Sequence, residues 1–114
     1  MSYWVYLKDN DDCTLSVESH TEGGTIALGG SPEAEINITY NYGTCYSLLG
    51  FSIKDLHGKS AADTVQTLGH LVKKLGTRRY EKDYWADTPG NAGHALSILH
   101  KWALQHPTGI WKVS

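Results

Sequence analysis

Residues 84–94 place an aromatic pair directly before a predicted helix start. Thr88 is a good helix-capping residue, and Pro89 suits the first helical position because its missing N–H would have no partner there. A helix start presents free N–H groups and a partial positive charge, which attract anions. Gly90 and Gly93 leave the first turn without bulky side chains. The pattern therefore predicts that a phosphate or carboxylate can approach the backbone here.

The residues around this helix start could supply further ligand contacts. Arg78 and Arg79 lie just upstream, and guanidinium groups bind phosphate oxygens well. Tyr84 and Trp85 could stack on a base or a sugar. His94 follows one turn inside the helix, where it could contact the same anion. The predicted contacts in this region are Arg78, Arg79, Tyr84, Trp85, Thr88, Gly90, Asn91 and His94.

The segment 35–42 alternates apolar and polar residues, which predicts a β-strand with two different faces. The apolar positions are Ile36, Ile38, Tyr40 and Tyr42, and the polar positions are Asn37, Thr39 and Asn41. We expect the polar face to be exposed to solvent. The alternative is a polar wall for a ligand, which adds Asn37, Thr39 and Asn41 to the predicted binding residues.

A purely structural interpretation of these residues stays open. Thr88 and Pro89 are explained by helix initiation alone, and Tyr84 and Trp85 could anchor the helix entrance in the core. Exposed basic side chains need no ligand. The choice between a binding site and a well-capped helix depends on the surrounding structure.

The chain has no complete catalytic, metal or cofactor motif. Its six histidines include no pair at the spacing that chelates zinc on a helix. The glycine pairs at 23–24 and 29–30 complete neither a dinucleotide-binding pattern nor a phosphate-binding loop. We therefore predict no metal, no cofactor and no catalytic residue.

The elements that position these residues follow from hydrophobic periodicity and capping signals. Strands precede helices, so we predict the α+β class, with one domain over 1–114. A small antiparallel sheet is expected from an N-terminal hairpin plus strand 35–42, packed by two longer helices. The hairpin strands are predicted at 3–8 and 13–17, the helices at about 60–75 and 89–105, and a further short strand at 110–113.

Composition narrows the class of partner. The formal charge of -2 argues against a dedicated nucleic-acid binder. The charge is unevenly distributed along the chain. Residues 1–36 carry seven acidic groups and one basic group, while the remainder carries nine basic and five acidic groups. The acidic and the basic region could attract each other within the fold or between subunits, or both could be solvated. No segment has the apolar length of a membrane span, and we expect a soluble, cytoplasmic protein without a disulfide.

Three separated blocks resemble a family of small bacteriophage and prophage proteins. They are NITYNY from Asn37, the pattern YWxxTxGNA from Tyr84, and PxGIW from Pro107. The resemblance covers residues 35–114 and implies a phage origin, with action in the host cytoplasm. It assigns no activity to any residue, so its functional implications rest on class analogy.

The leading hypothesis is a non-enzymatic, homo-oligomeric phage accessory protein that binds a small, anionic, nucleotide-like ligand. Such a protein could sequester a second messenger of host defence. One alternative is a protein-interaction module that inhibits a host defence enzyme. Another is a small nucleotide hydrolase that uses His94 or another histidine as a base, with Asn91 nearby.

Overall fold

A three-stranded antiparallel sheet with the first strand at its centre forms one wall of the core. The computed structural model describes residues 2–22, 25, 29–77 and 88–114. The strands are β1 (Ser2–Lys8), β2 (Ser16–His20), β3 (Ser31–Glu33), β4 (Glu35–Thr39) and β5 (Ile110–Val113). The helices are α1 (Gly43–Ser47), α2 (Ala61–Leu75) and α3 (Pro89–Gln105), with 3-10 turns at Tyr40–Tyr42 and Ile53–Leu56.

Strand β1 divides its side chains between the two faces of the sheet. It pairs antiparallel with β4 on one side and with β5 on the other. Val5 and Leu7 point to one face and are fully buried in the core. Trp4 and Tyr6 point to the other face, where their rings stack with centroids 6.4 Å apart. The apolar face is the one that the helices cover.

Helices α2 and α3 pack against each other in antiparallel directions. Gly69 faces the imidazole of His100, so that an added Cβ would lie 3.1 Å from its Nε2. Gly76, just past the end of α2, faces Gly93 near the start of α3. Glycine at these contacts allows the two helices to approach closely. The close approach buries the apolar stripe of α3 against α2.

The segment Pro107–Trp111 ties the sheet to the start of α2. Ala61 donates its backbone N–H to the carbonyl of Gly109, and Ala62 donates to that of Pro107, at 2.8 and 3.0 Å. The fully buried Trp111 donates from its indole Nε1 to the hydroxyl of Thr64 at 2.8 Å. The PxGIW block is thus accounted for by packing and by helix capping.

The predicted α+β class and both long helices are confirmed. The predicted hairpin forms only in part: Lys8 bridges Thr14 across the turn, but β2 then pairs with β3 in a separate two-stranded sheet. Leu15 is where the chain passes from β1 to β3: its backbone N–H donates to the carbonyl of Leu7, and its own carbonyl accepts from the N–H of Ala34. The strand predicted for 35–42 ends at Thr39, whose hydroxyl accepts from the N–H of Asn41 at 3.2 Å and begins a 3-10 turn.

Charged side chains of the acidic N-terminal third meet basic ones from the rest of the chain. Lys101 lies 3.9 Å from Glu18, and Lys112 lies 4.0 Å from Asp12. These pairs are largely exposed, so each contributes roughly 0 to 1 kcal/mol. None of the helices in the described ranges has the length and hydropathy that crossing a bilayer requires.

Candidate functional site

The start of α3 has the cap that the sequence predicts. Thr88 has an extended backbone, and its hydroxyl accepts a 3.1 Å hydrogen bond from the N–H of Asn91. The Thr88 carbonyl accepts from Ala92 at 3.0 Å, and Pro89 lies at the first helical position. Two of the amides that could have faced an anion are therefore already engaged within the helix.

Two residues proposed as open backbone or ligand contacts at this helix start are buried instead. Asn91 is fully buried, so it does not present its amide to the surface. A Cβ at Gly93 would overlap the carbonyl oxygen of Gly76. The expectation that Gly93 leaves room for a phosphate was wrong, because the end of α2 occupies that space. Gly90 is half-buried and lies two residues after the cap Thr88.

His94 lies one turn into α3, as predicted, but beside a carboxylate. Its Nε2 is 3.4 Å from Oε2 of Glu22, and its side chain is 24% exposed. A negative charge at this distance disfavours a second anion beside His94. The imidazole therefore links α3 to the residues just after β2. This contact supports a structural role for His94 more than a contact with a ligand.

The polar face of β4 was expected to be exposed to solvent, but within the strand it is buried. Asn37 and Thr39 are each only 7% exposed, whereas Asn41 lies beyond the strand and is exposed. Asn37 lies opposite Trp4 across the ladder, on the face that carries Tyr6. The expectation of an exposed polar face is therefore wrong for Asn37 and Thr39, and a role of these residues in ligand binding stays a prediction.

The two predicted halves of the site, 37–41 and 88–94, are brought together in space. The 3-10 turn that follows β4 contacts α3. The hydroxyl of Tyr46 in α1 is buried and donates a 2.9 Å hydrogen bond to the carbonyl of Ala92 in the first turn of α3. Tyr46 thereby fixes the end of β4 and the beginning of α3 relative to each other.

A cleft of about 150 Å³ opens beside this junction. It is lined by Tyr3, Thr39, Tyr40, Gly43, Tyr46, Ser47, Phe51, Ser52 and Ile53. The rings of Tyr3 and Tyr40 lie 4.5 Å apart, and those of Tyr46 and Phe51 lie 5.7 Å apart. The described lining has four aromatic rings, the aliphatic hydroxyls of Thr39, Ser47 and Ser52, and no charged residue, and it suits a planar, neutral ring.

A wider groove of about 340 Å³ between β2 and α3 has different chemistry. Its described lining includes the carboxylates of Glu18 and Glu22, and its basic side chains are Lys101 and His20. Trp102 also borders it but is only 4% exposed, so its ring offers little surface for stacking. The groove is therefore less suited than the cleft to an anionic ligand with an aromatic ring.

Four predicted site residues, Arg78, Arg79, Tyr84 and Trp85, lie outside the described residues. The sequence interpretation missed Tyr3, Tyr46 and Phe51 as parts of a cleft. The sequence did carry a signal for Tyr3. It lies next to Trp4 in a predicted strand, so the two side chains point to opposite faces of the sheet. Tyr46 and Phe51 carried none, because their rings meet only where the chain folds back on Tyr46 just after α1.

Within the described residues, no group of three or more His, Cys, Asp or Glu side chains could hold a metal ion. Comparison of the chain with protein-family models, with curated proteins and with solved structures gave no match. The resemblance to phage proteins therefore stays a prediction. Functional interpretation rests on the geometry of the cleft and its neighbours.

Proposed function

We propose that this chain binds a small, anionic, nucleotide-like ligand without catalysing a reaction. The observation that carries the proposal is the uncharged aromatic cleft, which Tyr46 connects to the start of α3. The planar ring of the ligand occupies the cleft, and its anionic part lies outside. A phage-encoded binder of this kind would act stoichiometrically, by sequestering a nucleotide second messenger of host defence.

The size of the cleft supports a ligand whose ring lies inside it and whose anionic part lies outside. Sites for drug-sized molecules have volumes of about 300 to 1,000 Å³. A cleft of about 150 Å³ therefore accommodates one ring system and leaves a sugar and phosphate outside. Stacking of a base on an aromatic side chain contributes about 1–3 kcal/mol. The exposed ring of Tyr40, at 43%, is the accessible wall for such stacking.

The anionic part of the proposal rests on the sequence. Arg78 and Arg79 precede the α3 start by about ten residues, and arginine binds phosphate through two N–H groups. Their contact with the ligand predicts binding that weakens as salt is added. Thr39 supplies a hydroxyl at the cleft, on the side where β4 ends.

The described geometry favours binding over the proposed hydrolysis by His94. That scheme needs Asn91 beside the substrate, but Asn91 is fully buried. His94 has Glu22 at 3.4 Å, which supports a structural link. Stoichiometric capture without product is therefore the expected behaviour towards nucleotides.

The test is a thermal-shift screen of linear and cyclic nucleotides, followed by calorimetric titration of any compound that raises the Tm. Tyr40→Ala should weaken binding by about fivefold or more, since loss of one stacking contact costs at least roughly 1 kcal/mol. Tyr6→Ala, at a tyrosine of β1 that does not line the cleft, is the matched control and should retain the affinity. Arg78→Ala and Arg79→Ala should each weaken binding and reduce its salt dependence.

Two results would contradict the proposal. One is that no nucleotide shifts the Tm, with no nucleotide found by mass spectrometry in material released from the purified protein. The other is equal affinity in the wild type and in Tyr40→Ala. Turnover at catalytic protein concentration would replace binding by hydrolysis as the function.

A further inference from the structure

The walls of the aromatic cleft are held in place by the core. Tyr46, Phe51 and Ile53 line the cleft and also belong to the buried core. The rings of Tyr46 and Phe51 meet edge to face at an interplanar angle of 82°, and the N–H of Phe51 donates to the Tyr46 carbonyl at 3.0 Å. Close-packed side chains resist expansion, so a ligand cannot enlarge the cleft without disturbing the core. The volume of the cleft therefore limits the size of the ring that enters it.

The volume of the cleft matches one six-membered ring. An engineered cavity of about 150 Å³ in another protein binds benzene, and the cleft has about the same volume, 150 Å³. A pyrimidine base is a single six-membered ring, whereas a purine base has a five-membered ring fused to it. A purine would leave part of its ring system outside the cleft, without contact with the walls. The size of the cleft therefore favours a pyrimidine.

Thr39 brings a hydroxyl proton to the lining of the cleft. Its Oγ1 accepts a 3.2 Å hydrogen bond from the N–H of Asn41. A hydroxyl has one proton to donate and two lone pairs, so this bond occupies a lone pair and leaves the proton available. Among the described residues, no group accepts that proton. Because Thr39 is buried and its oxygen is already bonded, the hydroxyl loses little conformational freedom when it binds a ligand.

Ser47 brings the opposite hydrogen-bonding capacity to the same lining. Its Oγ donates its proton to the carbonyl of Thr44 at 3.1 Å, so the oxygen can only accept a bond from a ligand. Thr39 and Ser47 therefore offer the cleft a donor and an acceptor. The polar edge of a pyrimidine base presents carbonyl acceptors together with an N–H or amino donor. Such an edge can bond to both hydroxyls while the ring remains neutral.

We infer that the cleft selects a pyrimidine base over a purine base, and that the hydroxyl of Thr39 donates a hydrogen bond to the polar edge of the ring. The inference rests on the proposed function and names the class of base within it. Volume determines which ring enters, and Thr39 determines how the ring is oriented once it lies against the aromatic walls. Thr39 is therefore a specificity-determining residue of the site.

The first measurement is calorimetric titration of the full chain with nucleotides that differ only in the base. Uridine, cytidine, adenosine and guanosine are compared as linear monophosphates and as cyclic monophosphates. The pyrimidine nucleotides should bind at least about tenfold more tightly, the low end of the discrimination that a pocket achieves by size. Purine nucleotides that bind equally or more tightly overturn the inference and leave the proposed function standing. If no nucleotide binds, the proposed function fails and the inference fails with it.

The second measurement tests the Thr39 hydroxyl with two ligands. Thr39→Val should weaken binding of the pyrimidine nucleotide by about fivefold, the effect of one neutral hydrogen bond. The same variant should bind a phenyl riboside monophosphate, whose ring has no polar edge, as the wild type does. Thr39→Ser should restore the affinity for the pyrimidine nucleotide. Thr67→Val, at an exposed threonine of α2 outside the described lining, is the matched control and should change neither affinity.

Equal weakening of both ligands in Thr39→Val would show that the hydroxyl only supports the turn after β4, and it would overturn the assignment of Thr39. Unchanged binding of the pyrimidine nucleotide by Thr39→Val would overturn it as well. Circular dichroism checks that the variant is folded. The comparison of bases uses the wild type alone, so it tests the selection of a pyrimidine even if Thr39→Val does not fold.

Discussion

The Cα of Gly93 in α3 faces the carbonyl oxygen of Gly76 at the end of α2, with no space for a side chain between them. This contact sets how closely the two long helices approach at the end where the candidate site lies. Gly76 has a φ of 74°, which glycine adopts without strain, so both members of the contact require glycine for different reasons.

Gly93→Ala is expected to destabilise the protein by about 2 kcal/mol, within the range of about 1–3 kcal/mol for overpacked sites. The clash outweighs the gain of roughly 1 kcal/mol that alanine brings to a helix interior. Urea unfolding measures the change. Gly43→Ala is the matched control: Gly43 lies in α1 with open space around it, so this variant should be neutral or slightly more stable. Equal stabilisation by both substitutions would show that α2 and α3 are not in contact at Gly93.

Thr64→Val is expected to cost about 1–3 kcal/mol, because it leaves the buried indole N–H of Trp111 without its acceptor. The shape of the side chain is nearly unchanged, so the loss reports the hydrogen bond and not a cavity. Thr67→Val, about one turn later on an exposed position of the same helix, should change the free energy of unfolding by less than about 0.5 kcal/mol. If the two variants have the same stability, Trp111 is not held by Thr64.

The sequence was sufficient to predict both long helices because each carries its own signals. Ser60 and Thr88 are capping residues followed by apolar stripes, and these local features determine where α2 and α3 begin. Strand pairing carries no such local signal. Alternation in 13–17 did not reveal that the chain would leave β1 at Leu15 and pair with β3.

The candidate site could be predicted only in outline. Asn37 and Thr39 alternate with apolar neighbours, but burial of a polar strand face depends on what covers it, which no local pattern encodes. Gly93 is compatible with an approaching ligand and with an approaching helix, and the position of Gly76 decides between them. The cleft was missed because its walls come from β1, the turn after β4, α1 and the residues beyond it.

Tyr46→Phe is expected to lower stability by about 1 kcal/mol, the usual net contribution of one hydrogen bond. The carbonyl of Ala92 lies inside a helix, so the loss should not reach the cost of a wholly unpaired buried group. Chemical denaturation provides the measurement. Tyr40→Phe removes an exposed hydroxyl nearby and should have no measurable effect, which separates the buried bond from a general effect of losing a phenol.

Thr88→Ala should cost about 1 kcal/mol, since the N–H of Asn91 loses the hydroxyl that caps it. Thr88→Ser keeps an oxygen at the same position and should restore most of the loss. Thermal unfolding of the three proteins compares them directly. A wild-type Tm for Thr88→Ala would mean that the hydroxyl does not cap α3 in solution.

The segment Pro107–Val113 has a consequence for the order in which the protein can fold as it is synthesised. The first amides of α2 bond to Pro107 and Gly109, and one edge of β1 pairs with β5. A ribosome makes these partners dozens of residues after β1 and α2 have emerged. Until then β1 lacks one neighbour, and α2 lacks the carbonyls that complete its start. The nascent chain must therefore remain incompletely packed until Pro107–Val113 has cleared the exit tunnel, and chaperones have that interval in which to act.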